Sequence, residues 1–272
     1  MITIFAMPKA FHGHIAMIQK NAIQTWMNLE PKCEVILLGE DEGTAEYAAE
    51  KGLQHIPTID RNEYGTPLLN DMFIKAEAAA SHRVMCYINA DIILMSDFMK
   101  AMKAIRKKRR FLLAGQRTDI DITEPLDFDS DWEAYLRNRA KKEGNLRPPP
   151  YIDYFAYSKG LWGEVPPFAL GRTVWDNWLL YRARSLNSPL IDATRAVVAV
   201  HQNHDYAHAG GTKGVWGGNE ARQNLALAGG KRHMYTLWDA THMVDESGLH
   251  PAPDNAGLGG GIWTYKRSSL YG

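Results

Sequence analysis

Val84-Met85-Cys86-Tyr87-Ile88-Asn89-Ala90-Asp91 reads as a buried strand that ends in a polar triplet, with the apolar Ile92-Ile93-Leu94 resuming directly after it. A continuous apolar run of this length, without alternation, matches a central strand covered on both faces, as in parallel sheets flanked by helices. Open α/β sheets collect their ligand chemistry beyond the carboxyl ends of such strands. Asn89, Ala90 and Asp91 therefore stand where an acidic residue can hold a divalent cation against a diphosphate. Asp91 capping the following turn is the competing reading, and spacing alone leaves both open.

Outward from this strand, β-branched runs alternate with helix-period segments, which predicts an α/β fold with a largely parallel, Rossmann-type sheet. Ile2 to Ala6 is a first strand, and His14 to Leu29 a helix with Ile15, Ile18, Ala22, Ile23 and Trp26 on one face. Glu34 to Leu38 is a strand, Thr44 to Lys51 a helix stopped by Gly52, and Gln54 to Ile59 a short strand. Gly65-Thr66-Pro67 gives a helix start with Thr66 as N-cap, running to about Ser81. Asp97 to Lys108 is a helix and Phe111 to Ala114 a strand. Thr118 to Glu133 is then acidic, with a solvated acidic loop as the reading of Asp127, Asp129 and Asp131, and the rest reads as a loop-rich half whose clearest helix is Trp175 to Ser185. One domain over 1–272 is expected, with residues 1–116 as a nucleotide-binding half and 117–272 as an acceptor-binding and catalytic half.

The chain has 272 residues, with 31 Lys+Arg against 31 Asp+Glu and 45% hydrophobic residues. That is enough chain to bury a core without metal or disulfide staples. A net charge of zero argues against nucleic acid as a partner, since phosphate-binding surfaces show as an excess of cations. Cys33 and Cys86, each beside apolar runs, suit buried thiols in a reducing compartment. The first eight residues form no secretory leader, and no apolar stretch approaches the ~18 residues of a membrane span. A cytoplasmic location is the expectation.

Several further groups could carry chemistry. Trp175-Asp176-Asn177-Trp178 places a carboxylate between two indoles, where burial raises its pKa toward that of a proton acceptor. A first-turn Asp that favours the helix dipole is the plainer alternative. Val197-Val198-Ala199-Val200 runs into His201, His204 and His208, and one of these imidazoles sharing a cation with Asp91 competes with histidines that only tie down a loop. Asp127, Asp129 and Asp131 imitate the opening of a calcium loop, but Trp132 and Asn138 stand where Gly and Glu are required. Arg106-Lys107-Lys108-Arg109-Arg110 closes a helix, either as a solvated end or as a weak peripheral contact with anionic lipid. Lys213, Arg222, Lys231 and Arg232 lie among paired glycines, a setting for a loop that folds over phosphates. No P-loop, dinucleotide fingerprint or nucleophile elbow appears.

In chain order these pieces resemble glycosyltransferases of the GT-A fold, the nucleotide-diphospho-sugar transferase superfamily. The resemblance rests on the amino-terminal βαβ unit, Tyr87-Ile88-Asn89-Ala90-Asp91, the helix opening at Trp175-Asp176 and the strand ending at His201. It implies that Asp91 ends an Asp-x-Asp metal motif whose first position is here Asn89, that His201 completes the metal site with His204 as the nearby alternative, and that Asp176 is the base of an inverting transfer. It further implies a Mn2+ or Mg2+ cation, a UDP- or GDP-sugar donor and a hydroxyl acceptor such as a carbohydrate. Pro8, Gly65 and Thr66 would line the nucleotide pocket, while Tyr151, Asp153, Tyr154, Trp162, Phe168 and Trp175 are acceptor-side candidates. Two alternatives remain: a sugar-1-phosphate nucleotidyltransferase, whose Gly-rich basic signature Met7-Pro8-Lys9-Ala10-Phe11 lacks, and a non-catalytic carbohydrate- or nucleotide-binding module.

Overall fold

Parallel strands cannot be joined by tight turns and need crossovers, usually helices. The computed structural model, which describes residues 1–204 and 217–253, builds the first third of the chain in that way. Strands β1 (Ile2–Ala6), β2 (Glu34–Leu38), β3 (Gln54–Ile56) and β4 (Val84–Ile88) run parallel in the order β4-β1-β2-β3. Helices α1 (Gly13–Met27), α2 (Thr44–Lys51) and α3 (Leu69–Ala79) connect them. Next come β5 (Ile92–Ile93), α4 (Ser96–Ala104), β6 (Leu112–Ile120), α5 (Trp132–Glu143), β7 (Asn145–Leu146) and β8 (Ile152–Ser158). β8 enters the sheet antiparallel, between β4 and β6. After α6 (Trp175–Ser185), β9 (Leu190–Asp192) extends the sheet beyond β6, and β10 (Ala199–Gln202) pairs with the far end of β6 and with β5. Helix α7 (Asn219–Leu227) and the hairpin β11 (His242–Asp245) to β12 (Gly248–Pro251) complete the described chain. β6 crosses residue 116, so the described residues on either side of that position share one sheet. No described helix is long and apolar enough to cross a membrane.

Alternation along the strands sorts side chains into two cores, one per face of the sheet. Ile4, Cys86 and Tyr154 face Trp26 and Phe98, whereas Phe5, Tyr87, Phe155 and Tyr157 face Phe73, Trp162 and Trp175. Helix α1 buries Ile18, Ala22, Ile23 and Trp26, and the Trp26 indole N–H donates to the Ile92 carbonyl at 2.9 Å, satisfying its one polar atom. Each such side chain contributes about 1.5–3 kcal/mol by leaving water.

Two expectations are corrected. Thr66 is not an N-cap: its N–H donates to Asn62 Oδ1 and its carbonyl accepts from Asn62 N, closing a turn, so that α3 begins at Leu69 with no side-chain cap. The strand at Phe111 does not stop at Ala114. It passes through a register shift against β8 and continues through Gln116, which pairs with Ile152 of β8, and through Arg117, Thr118 and Asp119, whose polar side chains read as loop but whose backbone pairs with β10. The acidic stretch accordingly opens inside a strand, while Asp127, Asp129 and Asp131 lie in exposed loop as expected, and Asp131 accepts from Ala134 N to cap α5. Local propensity also gives no sign of β8, which is buried along its whole length.

Gly115 sits at the register shift, where a Cβ would fall on the Tyr154 hydroxyl oxygen. Gly115→Ala should therefore cost about 1–3 kcal/mol in urea unfolding, and adding Tyr154→Phe should return part of that loss in a double-mutant cycle.

Candidate active site

The carboxyl ends of β1 and β4 and the amino end of the antiparallel β8 meet at a cleft of about 770 Å3. Pro8, Gly65, Thr66, Asn89, Ala90, Asp91, Tyr151, Asp153, Trp175, Asp176, His201 and His204 all line it. Tyr154, Trp162 and Phe168 do not, and their assignment to the acceptor side is corrected. Neighbouring strand residues face opposite ways, so Tyr154 turns from the Asp153 side into the core against Phe98, and Trp162 packs on Tyr157 and Phe73. Phe168 is covered by Trp178. Of the Gly-spaced cations, Arg222, Lys231 and Arg232 are not among the lining residues, while Lys213, like His208, lies outside the described residues.

Asp91, His201 and His204 bring three potential ligand atoms within 4.8 Å of one another. Asp91 Oδ2 lies 2.9 Å from His204 Nε2 and 3.8 Å from His201 Nε2, while Asp91 Oδ1 is buried with no hydrogen-bond partner among the described residues. Burial would raise the Asp91 pKa, but the hydrogen bond from His204 and the charges of His201, His204 and Lys9 outweigh it and hold the carboxyl well below its ordinary range. On the other side of the His201 ring, Nδ1 lies 3.2 Å from Asp119 Oδ1. A carboxylate behind one ring nitrogen favours the tautomer that leaves the other nitrogen free to bind. Strand β10 fixes this geometry, because His201 pairs with Asp119 on one side and Ile92 on the other.

A second chain of polar groups crosses the floor. The Tyr87 hydroxyl donates to Asn89 Oδ1 at 2.9 Å, and Asn89 Nδ2 donates to Asp153 Oδ1 at 2.6 Å. Arg117 donates to Asp153 Oδ2 and lies beside Asp119 Oδ1, at 2.9 Å in each case. Asn89 thus spends both ends of its amide inside the protein, and an aspartate there would put a second carboxylate against Asp153. The Arg147 guanidinium lies 4.3 Å from the centre of the Tyr151 ring, which places that ring at the mouth.

Asp176 occupies the first turn of α6, where the helix dipole favours ionisation. Burial nevertheless pushes its pKa up to about 7, with the Asp153 charge adding to the rise and backbone hydrogen bonds, including one from Asn177 N at 2.8 Å, opposing it. The residue two before it, Val174, is held at φ 95°, a conformation costly for a β-branched side chain. Burial of Val174, Trp175 and Trp178 in the aromatic core keeps that turn closed.

Sequence reasoning missed the supporting charges. Arg117 and Asp119 lie in the half of β6 whose polar side chains read as loop, and the one local signal that could have found them is the triplet Asp119-Ile120-Asp121. Arg172 and Glu220 gave no local signal: Arg172 lines the cleft and binds Glu220 of α7 through Nε and Nη2, at 2.9 and 2.6 Å. The other Glu220 oxygen accepts from Asn62 Nδ2 at 2.8 Å, so one buried carboxylate joins the Asn62–Thr66 turn to the loop before Asp176.

No protein-family model and no curated protein sequence matches the chain. Solved structures do. S. aureus TarS aligns over 74% of this chain and 36% of its own, at 10% identity and TM-score 0.50. Glucosyl-3-phosphoglycerate synthase from Mycobacterium tuberculosis, in complex with Mg2+ and UDP, aligns over 84% and 79%, at 15% identity and TM-score 0.50. The same enzyme in complex with Mn2+, UDP-glucose and phosphoglyceric acid gives 84%, 80%, 15% and 0.50. The chain spans 58% and 36% of the length of two TarS structures. The fold is that of GT-A glycosyltransferases.

Glu220→Gln leaves Arg172 without its carboxylate and should cost about 1–3 kcal/mol in denaturant unfolding. A wild-type unfolding midpoint in that variant would show the bridge to be energetically idle.

Proposed function

We propose that this chain is a glycosyltransferase that moves one sugar from a nucleotide-diphospho-sugar to an acceptor hydroxyl, with inversion at the anomeric carbon. The observation that carries this reading is the presence in one cleft of a cation-competent Asp91-His201-His204 cluster and a separate carboxylate, Asp176, poised near neutral pH. The GT-A fold supports it, as do the UDP, UDP-glucose, Mg2+ and Mn2+ named for the structural neighbours. A UDP-sugar is the donor these favour.

The cluster fits a divalent cation. The carboxylate suits either manganese or magnesium, while two neutral imidazoles favour the softer manganese over magnesium, which prefers oxygen, and the unpartnered Asp91 Oδ1 is a buried acceptor facing the cluster. When bound, the cation neutralises charge on the departing nucleoside diphosphate. Asp119 orients His201, and Lys9 adds a fixed positive charge toward Asp91. Pro8, Gly65 and Thr66, with Asp41 and Arg61, form the donor side of the cleft. Tyr151 and Trp175 offer aromatic surface to an acceptor, and Asp153 is fixed between Asn89 and Arg117.

Asp176 then accepts the acceptor's hydroxyl proton as the oxygen attacks. The bond from anomeric carbon to acceptor oxygen forms while the bond to the diphosphate oxygen breaks, and the electron pair leaves on the diphosphate. Deprotonated Asp176 is required, so activity should rise with pH through about 7.

Asp176→Asn should lower turnover by ~100-fold or more at similar donor affinity, and should abolish the rise near pH 7. Because a raised carboxylate pKa makes the folded state lose stability as pH climbs from the unfolded value to about 7, the Asn variant should also gain in melting temperature over wild type across that window. Full activity in Asp176→Asn would remove it as base. UDP affinity measured by calorimetry should weaken on chelation; donor binding without any transfer or hydrolysis would leave a binding module instead.

A further inference from the structure

The basic run at the end of α4 is not absorbed by the cleft. In the fold it is one part of a larger surface. Arg83, just before β4, donates to the Arg109 carbonyl at 3.2 Å, and its own carbonyl accepts from Lys159 N at 2.8 Å. The Ser158 hydroxyl also donates to the Arg109 carbonyl, and Arg110 reaches the Leu161 carbonyl. Three segments distant in sequence are thereby tied into one pole, where Arg83, Arg106, Lys107, Arg109, Arg110 and Lys159 are all exposed. Lys108 turns away to His242. Among the described residues none of these six lies within ion-pair distance of a carboxylate, whereas Lys75, Arg117, Arg137 and Arg172 elsewhere all do. Glu77 and Glu34, which border the pole, accept from Gly160 N and from Ser81 and form no ion pair with its cations.

This pole lies at the ends of β4, β6 and β8 opposite the cleft. The five residues of β4 lie between Arg83 and Asn89, whose six steps along the strand put them about 20 Å apart, so a partner seated on the cations leaves the cleft open. Clusters of four to eight exposed Lys or Arg are attracted to anionic bilayers. Nucleic-acid surfaces add stacking aromatics or an element that enters a groove, and these segments present a helix end and loops with no exposed aromatic side chain.

We propose that the pole formed by Arg83, the Arg106–Arg110 run and Lys159 docks the protein on anionic lipid headgroups, with the cleft facing away from the bilayer.

The test is co-sedimentation of the full chain with vesicles of phosphatidylcholine alone and of phosphatidylcholine with phosphatidylserine. Binding should require phosphatidylserine and fall as salt is raised. Each removed cation should weaken partitioning about fivefold, so Lys107→Glu with Arg109→Glu should lose most of it. Arg83→Glu with Lys159→Glu should weaken binding as well, since these belong to the pole but not to the run. Wild-type melting temperatures would certify that the variants are folded. Equal sedimentation on neutral vesicles, none on anionic ones at low salt, or release of the protein from vesicles by equimolar duplex DNA would each overturn the proposal, the last in favour of nucleic acid.

Discussion

The guanidinium of Arg117 is the charge on which the floor of the cleft depends. Asp91, Asp119, Asp153 and Asp176 converge there, and unit charges about 4 Å apart near a protein surface interact by about 4 kcal/mol. Arg117 stands 2.9 Å from two of the four. Asp153 is thereby free to orient Asn89, and Asp119 to face His201. Removing one partner of such a buried pair typically costs about 3–5 kcal/mol. Asp91 and Asp176 are left outside this neutralisation, and they are the two carboxylates to which the proposed transfer assigns a role: one is held well below its ordinary range beside two imidazoles, the other is pushed up to about 7 by burial.

Topology supplies this arrangement. A wholly parallel sheet would put only the loops after its strands at the cleft. The antiparallel β8 delivers the start of a strand there instead, and the backbone bond from Asn89 N to the Asp153 carbonyl, at 2.9 Å, sets the register between them. The same strand carries Tyr154 and Phe155 into opposite cores, so the position of Asp153 is fixed by hydrophobic packing on both faces of the sheet.

The parallel strands and their helices were legible because their apolar runs are long and flanked by clear stops, as at Gly52 after Lys51. Asp91, His201 and Asp176 were legible as well, since each polar group directly follows or opens an apolar element. β8 was not, because Pro148-Pro149-Pro150 before it and Asp153 within it resemble loop, and its burial follows from which strands it joins. Arg117 and Asp119 were concealed for the same reason: their alternating polar side chains point into a charged floor that exists only once β10 has docked beside β6. The tether from Arg172 to Glu220 spans 48 residues and leaves no local trace.

The way side chains are mounted in the cleft has a consequence for how such a protein can diversify. Asp119, Asp153 and His201 ride on strands whose neighbours are locked in the two cores, so almost any change there is felt by the whole sheet. Tyr64, Tyr151 and Arg172 ride on connecting segments at the rim. Insertions and substitutions in those segments can reshape what the cleft admits while the charged floor stays intact, so that the choice of bound molecule can drift across descendants at little risk to the strands beneath it.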